Sequence, residues 1–172
     1  EGLCGTLDVA ENPNDPDGRR ISLNIMLLPA TSAVVKPDPI FFLAGGPGQS
    51  AVDAGVFVFS HLSEARRERD IVLVDQRGTG KSNPLGCDLV DSDQGFERNS
   101  EQALAISLEH MKACLAAYDA DPAFYTTPIA MDDLNLVREH LGYQQINLLG
   151  GSYGTRAALV YMRRHGDTVR SA

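Results

Sequence analysis

Ile40-Phe41-Phe42-Leu43 and Ile71-Val72-Leu73-Val74 are apolar at every position, with no alternation of inward and outward residues. A strand reads this way when both of its faces are covered, as in a parallel sheet with helices on each side. A third run, Ile146-Asn147-Leu148-Leu149, is also strand-sized. Each of the three opens directly into a glycine-rich loop: Gly45-Gly46-Pro47-Gly48-Gln49-Ser50, Gln76-Arg77-Gly78-Thr79-Gly80-Lys81-Ser82 and Gly150-Gly151-Ser152-Tyr153-Gly154. In open α/β sheets the chemistry collects at the carboxyl ends of the strands. Three such loops therefore predict one shared site.

The remaining pattern fits that sheet. Residues 5–9 and 20–28 read as strands separated by a turn-rich stretch, and Ile21, Leu23 and Ile25 alternate with Ser22 and Asn24 as a half-buried strand would. Residues 62–69 read as helical, and residues 56–59 are ambiguous. The clearest helix covers 100–118, where Leu104, Leu108, Met111, Leu115 and Tyr118 recur at three and four. Further helices are expected over 132–141, closed by Gly142, and from the last loop to His165, closed by Gly166. Strands alternating with helices after an antiparallel start predict an α/β, doubly wound, mostly parallel sheet. At 172 residues the chain is sized for a single domain, taken as 1–172.

A net charge of −8 argues against nucleic acid and anionic membrane surfaces as partners. No apolar run is long enough to span a membrane as a helix. Glu1-Gly2-Leu3-Cys4 begins abruptly, as a mature or trimmed chain would. Gly80-Lys81-Ser82 invites a phosphate-loop reading, but the glycine that pattern needs five residues earlier is Asp75. A carboxylate there is wrong for phosphate in sterics and in charge. No cofactor and no metal are expected.

Gly150, Ser152 and Gly154 fit G-x-S-x-G in the setting it requires: strand, sharp turn, helix. On such a turn the serine hydroxyl stands proud of the sheet, and the glycines let strand and helix approach where a Cβ would clash. The loop after Leu43 exposes backbone N–H groups, which an acyl-transfer enzyme needs around a developing oxyanion.

Together, A-G-G-P-G-Q-S at 44–50, D-Q-R-G-T-G-K-S at 75–82 and G-G-S-Y-G-T at 150–155 resemble the serial signatures of the proline iminopeptidase and tripeptidyl aminopeptidase group of α/β-hydrolases. Order and approximate spacing match, and the resemblance runs from Cys4-Gly5-Thr6-Leu7 to the helix after Ser152. Proline iminopeptidases usually carry histidine where this chain has Ala44, which points to the tripeptidyl aminopeptidase-like branch. The resemblance implies the N-terminal half of an α/β-hydrolase fold. It also implies an exported enzyme, secreted or periplasmic, that acts on a peptide or ester substrate and releases prolyl or short peptides from N-termini. Exported enzymes oxidise their cysteines. Of Cys4, Cys87 and Cys114, the expected pair is Cys87–Cys114, which flanks the acidic connection after the second loop; Cys4 is then the odd one.

Ser152 is the expected nucleophile. The oxyanion hole is expected from the backbone N–H of Tyr153 and that of Gly46, with Gly45 as the alternative second donor. Asp75 and Arg77 are expected to brace the oxyanion loop. A catalytic aspartate and histidine should follow the serine in this fold, yet only His165 and Asp167 do so. His165 lies thirteen residues along a helix from Ser152, roughly 20 Å at 1.5 Å per residue. His61, His110 and His140 precede the serine and read as surface residues. The base is therefore expected from outside this chain, in a C-terminal part of the hydrolase supplied by the same precursor or a second chain. Val169 is where the next strand of the family would begin, and the outer edge of the 146–149 strand is expected to be bare. A carboxylesterase with the same machinery and a catalytically silent half-domain are the alternatives.

Overall fold

The computed structural model describes residues 2–86 and 101–172. They form two units, Glu1–Pro84 with Pro122–Ala172 and, between these in sequence, Leu85–Asp121. The larger unit holds a six-stranded sheet in the order β1-β2-β4-β3-β5-β6. β1 (Leu3–Ala10) and β2 (Arg20–Leu28) form an antiparallel hairpin, in register from Leu3 opposite Leu27 to Ala10 opposite Arg20. β2 is antiparallel to β4 (Ile71–Val74). β4, β3 (Ile40–Leu43), β5 (Ile146–Gly150) and β6 (Val169–Ser171) then run parallel.

Both faces of the central strands are covered, as their unbroken apolar sequences require. Val72, Val74, Phe41 and Leu43 join Ile21, Leu23 and Ile25 in one core. Onto that side pack Met131, Leu134 and Val137 of α4 (Thr127–His140) together with Ala157, Ala158 and Tyr161 of α5 (Tyr153–His165). Ile71 and Leu73 belong to a second core with Leu28, Ala44, Ala51 and Val58. Val58 comes from α1 (Gly55–His61), which breaks at Leu62 before the short α2 (Ser63–Arg66).

α4 begins at Thr127, five residues before its expected start at Asp132, because Pro128 sits in the first turn, where a missing N–H costs nothing. Its other end is the expected one. Gly142 takes φ +80°, and the N–H groups of Gly142 and Tyr143 bond back to Glu139 and Arg138, so the last carbonyls are satisfied. Gly166 caps α5 directly after His165, as expected. Its φ is −61°, and the chain continues into one 3₁₀ turn, Gly166–Thr168, before β6.

The edge of β5 is not bare, contrary to the expectation. Val169 and Ser171 of β6 pair with Ile146 and Asn147. A polar clasp holds this pairing at the amino ends of the strands. Buried Asn147 donates to Asp38 O and Oδ2, both at 2.8 Å, while its own carbonyl accepts from Arg170 (2.8 Å) and Ser171 (2.6 Å).

The smaller unit carries α3 (Glu101–Ala117). Leu108, Met111 and Leu115 lie along one side of it and are exposed, whereas Cys114 is buried. The three-and-four periodicity is therefore helical, as expected. The expected Cys87–Cys114 bond lies outside the described residues, because Cys87 does. Cys4 is free and exposed on β1.

Candidate active site

β5 ends at Gly150 and α5 starts at Tyr153, so the chain must reverse from strand to helix within two residues. Ser152 absorbs the reversal. It has φ +53° and ψ −121°, a conformation that side chains rarely adopt and that costs on the order of 1–3 kcal/mol. It occupies the N-cap position of α5, but its hydroxyl makes no capping bond. The turn is instead closed by Gly154 N–H to Gly151 O (2.8 Å) and by Thr155, whose N–H (3.0 Å) and hydroxyl (2.7 Å) both reach Ser152 O. Ser152 is exposed.

The two glycines of the motif are sterically obligatory. A Cβ on Gly154 would stand 2.1 Å from Leu43 O, and one on Gly150 would stand 2.5 Å from Gly154 O. α5 is thereby pressed against the end of β3, and Gly151 N–H also donates to Leu43 O at 3.3 Å. Leu43 leads straight into the Gly45–Gly48 loop, so the Ser152 turn and the loop share a boundary. An ideal Cβ on Gly45 would lie 3.3 Å from Ser152 Cβ.

The expected amide donors separate by hydrogen bonding. Gly45 N–H is engaged, donating to Gln49 Oε1 at 3.2 Å. Gly46 has φ +102°. Among the described residues, neither Gly46 N–H nor Tyr153 N–H has a protein acceptor. The Tyr153 amide is the first of α5, where the helix dipole adds partial positive charge. Its phenol is fixed by Thr127 of α4, hydroxyl to hydroxyl at 2.7 Å.

Asp75 anchors the far end of this loop. It is 1 % exposed, and its carboxylate accepts from Ser50 hydroxyl (2.7 Å), Val52 N–H (3.0 Å), Asn24 amide (2.9 Å) and Lys81 N–H (3.1 Å). Burial alone would raise its pKa, but these donors together hold it below the ordinary value. The loop that resembled a phosphate cradle is thus wrapped on a carboxylate: Lys81 N–H points at Asp75, and a Cβ on Gly80 would collide with it at 2.2 Å.

Arg77 braces something else than expected. Its guanidinium pairs with Asp133 of α4 at 2.6 and 2.7 Å and donates to Glu11 O, Ala10 O and Phe124 O. It fastens the end of β1 to the middle of α4 and to Phe124 ahead of that helix, rather than bracing the Gly45–Gly48 loop. Beside it Tyr125 donates to Glu11 (2.8 Å), and burial followed by that carboxylate pushes the phenol up to about 12.

No hydrogen bond joins Ser152 to a histidine among the described residues. His165 Nε2 lies 2.8 Å from Asp132 Oδ1, and His61 Nδ1 lies 2.9 Å from Phe57 O. Among the described residues no group of three or more His, Cys, Asp or Glu could hold a metal ion, and no helix is long and apolar enough to cross a membrane. Gln49, Asn24, Thr127 and Asn147 carry contacts that the sequence reading gave no role.

Residues 38–172 match a family model described as alpha/beta hydrolase fold. Over 98 % of its length the chain is 30 % identical to the serine protease Hip1 of Mycobacterium tuberculosis, covering 34 % of that protein. It is 27 % identical to the tripeptidyl aminopeptidase of Streptomyces lividans, over 97 % of this chain and 34 % of the relative. Among solved structures, a proline iminopeptidase-related protein of Thermus thermophilus superposes with a TM-score of 0.59. That pair is 21 % identical and covers 98 % of this chain and 42 % of the other, a likeness of fold. The chain spans about a third of the length of the curated relatives it matches.

Proposed function

This chain belongs to the α/β-hydrolase family, and from that premise we propose that it carries the nucleophile and oxyanion hole of an exported serine aminopeptidase releasing prolyl or short peptides from N-termini. The observation that carries the reading is Ser152: a strained, exposed hydroxyl on a helix N-terminus, with two unengaged amides, Tyr153 and Gly46, beside it. Ser152 Oγ attacks the scissile carbonyl, its proton passes to a base supplied from outside residues 1–172, and the carbonyl oxygen collects its charge at the two N–H groups. Expulsion of the amine leaves an acyl-enzyme that water hydrolyses. Relatives named serine protease and tripeptidyl aminopeptidase favour a peptide over an ester. The same elbow and hole serve an ester leaving group equally, so a carboxylesterase is the second reading.

In the full-length enzyme, Ser152→Ala is expected to abolish labelling by a fluorophosphonate and to lower turnover by several orders of magnitude. Full activity in that variant sinks the assignment. A panel of N-terminally free peptides against matched esters separates peptidase from esterase. Export carries with it the Cys87–Cys114 bond, which closes a loop worth roughly 3–4 kcal/mol by chain-entropy arithmetic. Peptide mapping without reductant should recover the two cysteines joined, and two free thiols would overturn the pairing.

A further inference from the structure

We propose that Gln49 is a positioning residue of the oxyanion hole; the role rests on Ser152 being the nucleophile. The loop from Gly45 to Gln49 is closed twice by the same residue. Gly45 N–H donates to Gln49 Oε1 at 3.2 Å, and Gln49 N–H donates back to Gly45 O at 3.4 Å. Gly45 in turn lies against the nucleophile: the space its missing Cβ would fill is 3.3 Å from Ser152 Cβ and 3.4 Å from Gln49 Oε1. Gln49 Oε1 and Ser152 Cβ therefore lie on the same side of Gly45, around the position its missing Cβ would take.

This arrangement decides which amide meets the substrate oxygen. Gly45 and Gly46 are adjacent donors on a loop rich in glycine, and rotation of the peptide plane between them would turn the Gly46 N–H away and present Gly45 O in its place. Gln49 engages the first and leaves the second free, held at φ +102°. Preorganised donors stabilise an oxyanion because they need not reorient as charge develops. Gln49 is exposed, so packing does not explain the contact. A neutral amide also suits the position chemically: it accepts the Gly45 N–H without placing negative charge beside a nascent oxyanion, as glutamate would.

The test uses the full-length enzyme, with kcat normalised to active sites titrated by a fluorophosphonate. Gln49→Met removes the acceptor at similar length. It should lower kcat by roughly 10- to 100-fold, the scale of a misplaced catalytic group, with KM unchanged. Inhibition by a peptide aldehyde, whose adduct presents an oxyanion, should weaken by the same factor. Gln49→Glu keeps the acceptor but adds charge, so its deficit relative to wild type should shrink as pH falls and the carboxyl is protonated. A wild-type kcat per active site in Gln49→Met, or a loss confined to KM, overturns the positioning role. If Ser152→Ala still turns over, the nucleophile reading falls instead, whatever Gln49 does.

Discussion

Four donors converge on the buried carboxylate of Asp75, and none of them is a cation. Such a site is matched to a charged acceptor, because a neutral amide would point N–H groups at some of those donors. Asp75→Asn should therefore destabilise the protein by about 3 kcal/mol, the cost of leaving one or two buried groups unsatisfied. The sign with pH follows from the depressed pKa. The Asp75 contribution is complete above the ordinary value of 3.8 and is lost as pH falls through the lower folded value. Urea unfolding should show the gap between wild type and Asp75→Asn widest near neutrality and closing below about pH 4; a gap that grows on acidification would contradict the assignment. Local geometry was legible in the sequence where a motif fixes the backbone, as in the positive φ of Ser152 and the close approach at Gly154. Side-chain contacts were not legible where the partners lie far apart in sequence, as where the Arg77 guanidinium reaches Asp133 and Glu11 O.

At the scale of elements, apolar run length identified β3, β4 and β5, because strands covered on both faces need no periodicity. The start of α4 was missed: its signal is Pro128, which lies before the expected start at Asp132. β6 is three residues long, with Arg170 and Ser171 exposed, so hydrophobic pattern alone does not mark it as a strand. What seats it is Asn147, a polar residue inside an apolar strand. Asn147→Leu fills similar volume but strips Arg170 and Ser171 of their acceptor and Asp38 of a donor. The expected cost is about 2–4 kcal/mol, and exchange of the β6 amides with deuterium should quicken more than that of β3 or β4. Uniform acceleration across the sheet would mean that Asn147 supports the core at large rather than the β5–β6 seam.

At the scale of the whole molecule, the proposed machinery lacks a base within hydrogen-bonding reach of Ser152 among the described residues. Residues 1–172 hold a candidate nucleophile and two candidate oxyanion donors, but His165 is committed to Asp132 and His61 to its own helix. A serine hydroxyl without an adjacent base is a weak nucleophile. Residues 1–172 expressed alone should therefore show no turnover of peptides or esters, and co-expression with the remainder of the hydrolase should restore it. Hydrolysis by the isolated segment would place the base among its four histidines. One contact bears on how such an enzyme could be altered. Because Gly154 rests directly on the carbonyl of Leu43, the turn that carries Ser152 and the strand that leads into the Gly45–Gly48 loop are packed together with no room for a side chain between them. If Ser152 and the Gly46 amide act as proposed, segments outside residues 1–172 could be exchanged by recombination while these two stay in mutual alignment, so a new specificity would inherit a reaction centre already in tune.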